Sequence, residues 1–348
     1  MITSRPLIYD LDRDEINSFL EKWGEKTYRG NQIWQGLYQN LWMRPDQFTS
    51  LSLKTRDLLT NNFQFEVVRP IKKIYSKDLN TEKTLFRLHD NQAIETVLMR
   101  YKSRNTVCVS TQVGCAMGCI FCATGQMGFH RNLNLGEIVA QVLYYSELLS
   151  KSNEKLTNIV IMGMGEPFHN YQTTISAIDR LNDHDGFNFG ERRFSISTVG
   201  LVPLILKFAK EQRQINLAIS LHAAENELRS KLLPINNKYP IEEVLLACQE
   251  YINLTNRRIT FEWALIDSVN DSPEQAYLLI SKIKNILCHV NLIPLNPTVS
   301  YSGRGSNLEK AKVFQNILTK AGIRCTIRLR RGIDIQAGCG QLMNEFLV

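Results

Sequence analysis

The segment CAMGCIFC, residues 115–122, sets three cysteines, Cys115, Cys119 and Cys122, at the spacing Cys-x3-Cys-x2-Cys. Thiolates are soft ligands that select zinc, copper or iron–sulfur clusters. A structural zinc asks for a fourth donor, and His130, eight residues beyond Cys122, is the nearest candidate. A [4Fe–4S] cluster ordinarily takes four cysteines. Held by three, it would leave one iron open to a small molecule, which gives the odd number of thiolates a use. The surrounding loop, TQVGCAMGCIFCATGQMG, contains four glycines that let the backbone wrap tightly around such a group.

The elements that must carry this loop are legible from about Thr106 onward. Short apolar runs recur at 106–111 (TVCVST), 158–163, 194–198, 216–221, 259–266, 289–295 and 326–330. Most are rich in Val and Ile on both faces, as strands of a buried parallel sheet are. Helix-period segments separate them: Leu135, Ile138, Val139, Val142 and Leu143 share one stripe, and 241–252, 273–286 and 308–322 repeat the pattern. Six or seven βα units imply an α/β fold with a parallel sheet curled into a full or partial (β/α) barrel. An open doubly wound sheet is the alternative. Either fold places chemistry at the C-terminal strand ends. Residues 1–60 read as a small helical accessory domain, with Ile33, Leu37 and Leu41 at helical spacing. Residues 61–105 read as a β-hairpin extension and 106–348 as the catalytic domain.

Composition sets outer limits. The 348 residues are 44% hydrophobic and 22% charged, an ordinary globular balance. No apolar run approaches the roughly 20 residues that span a bilayer. The start, MITSRPLIYDLDRDE, carries acids where a secretory signal needs an apolar stretch, so a cytoplasmic location is expected. In a reducing compartment, clustered members of the eight cysteines are more often metal ligands or catalysts than disulfides. The net charge of +7 permits a nucleic-acid partner without requiring one.

The cysteine spacing after a first barrel strand resembles the radical S-adenosylmethionine (SAM) superfamily. There the open iron chelates SAM, and an electron from the cluster cleaves it to a 5′-deoxyadenosyl radical. GMGEP (163–167) ends the second strand, where Gly165 and Glu166 match the superfamily's segment for the SAM amino group. Ser197 in SISTVG, Ser220, Leu221 and His222 in ISLHA, and Asn296 in PLNPT end later strands as further cofactor-binding candidates. Each alone is as well explained by a satisfied loop end. Together with CATGQMGFHRNL and the closing CGQL, these motifs resemble the RlmN branch of the RlmN/Cfr radical SAM RNA methyltransferases over essentially the whole chain.

That resemblance implies a reaction. Carbon 2 of adenine is electron-poor and resists polar methylation. By resemblance, a first SAM methylates Cys339 and a second generates the radical that removes hydrogen from that methyl group. The resulting carbon joins the RNA base, and Cys108 then attacks the sulfur of Cys339, leaving a disulfide; two SAM are consumed per turnover. Such a step needs Cα atoms within about 7 Å and an attacking thiolate, which basic surroundings favour. Arg328, Arg330 and Arg331 lie near Cys339 in sequence and could supply that field or bind RNA phosphate. Glu95 aligns with the family's proton acceptor, although on its own it reads as an exposed salt-bridging acid. Cys248, Cys288 and Cys325 read as packing residues.

The implied substrates are 23S rRNA at the peptidyl transferase centre and the tRNA adenosine beside the anticodon. The implied electron donor is a protein such as flavodoxin, the expected state a monomer, and no membrane is involved. Pro167 stands where Cfr proteins, which methylate carbon 8, carry alanine. Gly338 stands where the family commonly has alanine, which would loosen the Cys339 loop. Lys22, Lys26, Arg29 and Arg44 among Trp23, Tyr28, Trp34 and Trp42 suit either RNA contact or an aromatic core with a solvated basic face. Two other classes stay open: a zinc-stapled, non-catalytic RNA-binding protein, and a radical SAM enzyme with a small-molecule substrate.

Overall fold

In a computed structural model of the chain, the described residues are 5–298, 300–328 and 331–343. Arg330 lies outside them. Three helices come first: α1 (Arg13–Lys22), α2 (Tyr28–Tyr38) and α3 (Leu53–Asn62). An antiparallel meander follows, made of β1 (Arg69–Tyr75), β2 (Thr81–Arg87), β3 (Ala93–Tyr101) and β4 (Arg104–Cys108). After β4 come a small hairpin, β5 (Gln112–Gly114) and β6 (Phe129–Asn132), with the short α4 (Ala123–Gln126) between its arms, and then α5 (Leu135–Ser150).

The βα succession continues as β7 (Asn158–Ile161), α6 (Tyr171–Asn182), β8 (Phe194–Thr198), α7 (Val202–Lys210) and β9 (Asn216–Ser220). It closes with α8 (Asn226–Leu232), α9 (Ile241–Thr255), β10 (Ile259–Leu265), α10 (Pro273–Ile283), β11 (Cys288–Pro294), α11 (Leu308–Lys320) and β12 (Cys325–Ile327). Among the described residues one sheet of ten strands runs in the order β1-β2-β3-β4-β7-β8-β9-β10-β11-β12. From β4 onward every pairing is parallel. Strand order follows the chain without reversal, whereas a doubly wound sheet turns back at a switch point. The architecture is therefore the partial barrel, with its open seam between β12 and the meander. Arg331 Nη1 bridges that seam to the carbonyl of Arg100 on β3 at 3.0 Å.

The meander is part of the barrel's sheet, because β4 pairs antiparallel with β3 on one side and parallel with β7 on the other. The first barrel strand ends at Cys108, short of the expected Thr111. On the β3 side beyond it the side chain of Gln141 takes over, accepting from Ser110 N–H at 2.9 Å and donating to the Ser110 carbonyl at 3.0 Å. Helix α5 starts where sequence dictates: Asn134 and Glu137 form a capping box. Leu41 falls just past α2 with φ +56° instead of on the helix.

The N-terminal helices dock on α6 largely through Arg180, with Arg13 of α1 pairing with Asp183 and Asp185 just past its end. Arg180 donates to the carbonyls of Tyr9 (3.1 Å) and Leu11 (2.6 Å) and to the Tyr38 hydroxyl (3.0 Å), and lies 4.8 Å over the Trp34 ring. Trp34 Nε1 donates to Asp183 at 2.6 Å. Trp23 packs on Phe63 and Trp42 on Phe48, so the tryptophans of this region build its core. Of the four aromatics suited to RNA contact, Tyr28 is the exposed one. Among the described residues no helix is long and apolar enough to cross a membrane.

Arg180→Ala removes three hydrogen bonds of one buried-facing cation. We expect about 2 kcal/mol of lost stability in urea unfolding, with amide exchange accelerated in α1–α3 and unchanged in β7–β11. Unchanged exchange in the helices would contradict this docking role.

Candidate active site

The C-terminal ends of the parallel strands surround a cavity open to solvent on one side. Cys115, Cys119 and Cys122 enter it from the loop after β4. Gly165 and Glu166 enter after β7, Ser197 from β8, Ser220 and His222 at the end of β9, Asn296 after β11, and Cys339 from the tail. The structure thus brings together most of the residues expected from sequence. Leu221 is the exception among the cofactor candidates: it is fully buried and does not line the cavity. Cys108 stands behind the wall at the end of β4, in the field of Cys339 and Arg328.

The cysteine loop is tied down on several sides. Cys115 N–H donates to the Gly128 carbonyl across the β5–β6 hairpin at 2.8 Å, and Ile120 N–H to the Leu232 carbonyl at 3.1 Å. Ala123 N–H donates to the Gly340 carbonyl at 2.7 Å, and Thr124 Oγ1 to the Leu342 carbonyl at 2.6 Å. The tail loop carrying Cys339 therefore sits directly on the loop carrying Cys122. Burial pushes the Cys115 thiol up to about 12 and raises Cys119 and Cys122 as well, with repulsion from neighbouring cysteines adding to it at each, from within the trio at Cys115 and Cys119 and from Cys339 at Cys122. Backbone N–H groups of Met117, and of Thr124 and Gly125, pull Cys115 and Cys122 the other way.

Three desolvated, mutually repelling thiolates need cationic metal to stay charged. Among the described residues no three His, Cys, Asp or Glu side chains close on a single metal ion. A four-iron cluster instead bonds each thiolate to a different iron, so the donor set suits it. Asn296 gives a second sign of a ligand. Its Nδ2 donates to the Cys339 carbonyl at 3.1 Å, while its buried Oδ1 has no partner among the described residues. An orphaned acceptor on a cavity wall is a position a ligand hydroxyl or N–H would fill.

The glycine and glutamate of the β7 loop have distinct local reasons. Gly165 has φ +102°, and a Cβ there would lie 2.5 Å from Gln112 Cβ. Glu166 is buried, and its carboxylate accepts from Phe168 N–H and Val199 N–H, both at 2.9 Å. Burial raises its carboxyl to about 7 against those bonds. This carboxylate therefore stitches the β7 loop to the β8 loop while lining the cavity. His222 is held at φ +59°; burial pushes it down to about 3, so it is neutral, and its Nδ1 accepts from Ala264 N–H at 2.9 Å.

Three sequence expectations are corrected. Arginines near Cys339 favour a Cys108 thiolate, and Arg328 does act in that direction, but burial outweighs it and holds the thiol up at about 12. Glu95 is not an exposed acid: it is 2% exposed and paired with Lys83 at 2.8 Å. Gly338 packs the tail loop instead of loosening it, since a Cβ there would lie 2.4 Å from Asn296 Nδ2.

Sequence reasoning missed Arg229 and Asn270. Arg229, fully buried, donates to the carbonyls of Val199 (2.7 Å), Leu221 (3.1 Å) and Ser220 (3.2 Å), fixing two strand-end loops at once. Asn270 Nδ2 donates to the His222 carbonyl at 2.8 Å. Within NELRSKL, Arg229 has the charge pattern of any solvated helix, so no local signal marks it.

Comparison with known proteins agrees with this geometry. Residues 109–280 match the family described as the radical SAM superfamily, and residues 8–65 match the ribosomal RNA large subunit methyltransferase N-terminal domain. The dual-specificity RNA methyltransferase RlmN 1 of Myxococcus xanthus is 46% identical over 96% of this chain and 93% of its own length. The crystal structure of a radical SAM methyltransferase from Sphaerobacter thermophilus superposes with a TM-score of 0.95 at 47% identity, covering 97% of this chain and 99% of that one.

Gly165→Ala should leave the iron content of anaerobically prepared protein unchanged and weaken SAM binding at least about tenfold by calorimetry, or about 1.4 kcal/mol. Unchanged SAM affinity would separate the β7 loop from the cofactor.

Proposed function

The chain belongs to the RlmN family of radical SAM RNA methyltransferases, and on that premise we propose that it methylates carbon 2 of adenosine through Cys339. The observation that carries this reading is the seating of the Cys339 loop on the cluster loop, with Cys339 lining the same cavity as Cys115, Cys119 and Cys122. A methyl group on that sulfur would lie beside the site where hydrogen is abstracted. Enzymes that only abstract hydrogen from a small molecule have no need of such a carrier.

Cys115, Cys119 and Cys122 would hold the [4Fe–4S] cluster, and Gly165, Glu166, Ser197, Ser220, His222 and Asn296, which line the same cavity, would enclose SAM. Together these groups, when bound, supply the hydrogen-abstracting radical and, from a first of two SAM, the methyl group. The work of the chain's own residues follows from their placement. Cys339 Sγ carries the methyl carbon and, after hydrogen is removed, remains bonded to it while that carbon joins the base. Attack by Cys108 Sγ on Cys339 Sγ forms the S–S bond. The C–S electron pair leaves with the RNA carbon, which takes a proton; the aromatic base is restored by loss of the ring proton together with the adduct's unpaired electron, which a one-electron acceptor such as the oxidised cluster would take back. A two-electron reductant then reopens the disulfide.

Burial serves this order of events. Cys108 and Cys339 are not joined by a disulfide, and the Cys108 thiol, raised by burial, holds its proton until RNA and the methylene carbon are in place. Glu95 is the candidate acceptor of the ring proton. In this conformation its oxygens are taken by Lys83 and by Met343 N–H, so that role requires the tail to shift. The RNA is 23S rRNA and the tRNA adenosine beside the anticodon, reached with the base flipped out of its stack. The reducing electrons come from a protein such as flavodoxin, and the enzyme works as a cytoplasmic monomer.

Cys108→Ala should accumulate a covalent protein–RNA adduct, seen as a shifted band that ribonuclease collapses, while Cys339→Ala should form none. Release of methylated RNA by Cys108→Ala at the wild-type rate would refute the two-cysteine resolution.

A further inference from the structure

Lys83 is a cation that neither the cofactor site nor the RNA chemistry uses, yet it is buried in the middle of β2. On the paired strands Lys83 stands opposite Val97, and Leu85 opposite Glu95, so Lys83 and Glu95 are diagonal neighbours on one face. Their side chains are each 2% exposed, and Lys83 Nζ lies 2.8 Å from Glu95 Oε1. The opposite face of β2 is also buried: Thr84 Oγ1 accepts from the Tyr145 hydroxyl of α5 at 2.7 Å. Lys83 is therefore enclosed from both sides and directed at the tail.

Further capacity of the pair goes to that tail. Lys83 Nζ donates to the Gln336 carbonyl at 3.3 Å, and Glu95 Oε2 accepts from Met343 N–H at 3.0 Å. Gln336 and Met343 bracket Cys339. The middle of the segment is held from elsewhere, by Asn296 on the Cys339 carbonyl and by Ala123 N–H on the Gly340 carbonyl. A buried ion pair is costly to desolvate and is tolerated when its leftover donors and acceptors are satisfied. Here the satisfying groups are backbone atoms at the two ends of the Cys339 loop, so the pair gains these partners when that loop is seated.

We propose that Lys83 is a positioning residue for the Cys339 loop: through its ion pair with Glu95 it keeps residues 336–343 seated on the meander, with Cys339 turned into the cavity. The effect on the loop is independent of what Cys339 does; the effect on methyl transfer rests on the reading of Cys339 as the methyl carrier.

The test is amide hydrogen exchange on the full-length, cluster-loaded enzyme, comparing wild type with Lys83→Met and Lys83→Arg. Lys83→Met should accelerate exchange across 336–343 at least about tenfold, with β2 and β3 protected as before and iron content unchanged. Lys83→Arg, which keeps a donor cation, should restore most of the protection. In steady-state assays kcat should fall in Lys83→Met and recover in Lys83→Arg, while KM for SAM stays within about twofold. If the lone carboxylate prevents Lys83→Met from folding, the double variant Lys83→Met/Glu95→Gln takes its place. There the side-chain amide carbonyl introduced at position 95 can still accept from Met343 N–H, and exchange should rise at the 336–338 end alone. Wild-type exchange across 336–343 in the folded variant, or acceleration spread equally through β2 and β3, would overturn the proposal. A loosened loop with undiminished methyl transfer would uphold the positioning and refute the carrier reading instead.

Discussion

Charge that water can no longer stabilise is the constraint around which this molecule is arranged. Three thiols converge at the mouth of a parallel sheet, where desolvation and mutual repulsion oppose their ionisation. Only cationic metal makes three thiolates there tolerable, and a set of three leaves a corner of a four-iron cluster without a protein ligand. The strand-end loops answer that geometry. Each contributes small or polar residues to one cavity, and the loops are locked to one another by groups behind it: Arg229 across the loops after β8 and β9, Glu166 between those after β7 and β8.

The tail completes the enclosure from a different direction. It crosses the open seam of the partial barrel and lands on the cluster loop, on Asn296 and on the Lys83–Glu95 pair. This placement gives Cys339 two neighbourhoods at once. The cavity holds the cluster cysteines on one side, and Cys108 and Arg328 lie on the other. A sulfur that must first receive a carbon and later be attacked by a second sulfur needs both. The meander is accordingly continuous with the body that carries the site: β3 bears Glu95 and β4 ends at Cys108.

Whatever depends on local spacing is legible in the sequence. The three cysteines, the glycine-rich GMGEP turn and the apolar strands carry their signal within a few residues, and the strand-end positions of Gly165, Ser197, Ser220, His222 and Asn296 follow from the βα rhythm. What stays hidden depends on long-range approach. Glu95 on its own reads as an exposed hairpin acid, and nothing marks Lys83, because nothing nearby reports that a tail some 250 residues later covers them. Trp23, Trp34 and Trp42 suit RNA and a core equally well, and the distant Asp183 on the α6 side decides for burial at Trp34. Gly338 reads as a loosened loop, whereas Asn296 fills the space a methyl group would occupy. Leu221 reads as a cofactor candidate as part of the strand-end ISLHA motif, but its side chain is turned into the core.

The most direct measurement of the central claim is electron paramagnetic resonance of the anaerobically reduced protein, with and without SAM, alongside iron analysis. A cluster held by Cys115, Cys119 and Cys122 with one iron left open should show about four irons per chain and a reduced-cluster signal whose g-values shift on adding SAM. Protein that remains iron-free after careful anaerobic reconstitution, or a cluster signal indifferent to SAM, would contradict the account.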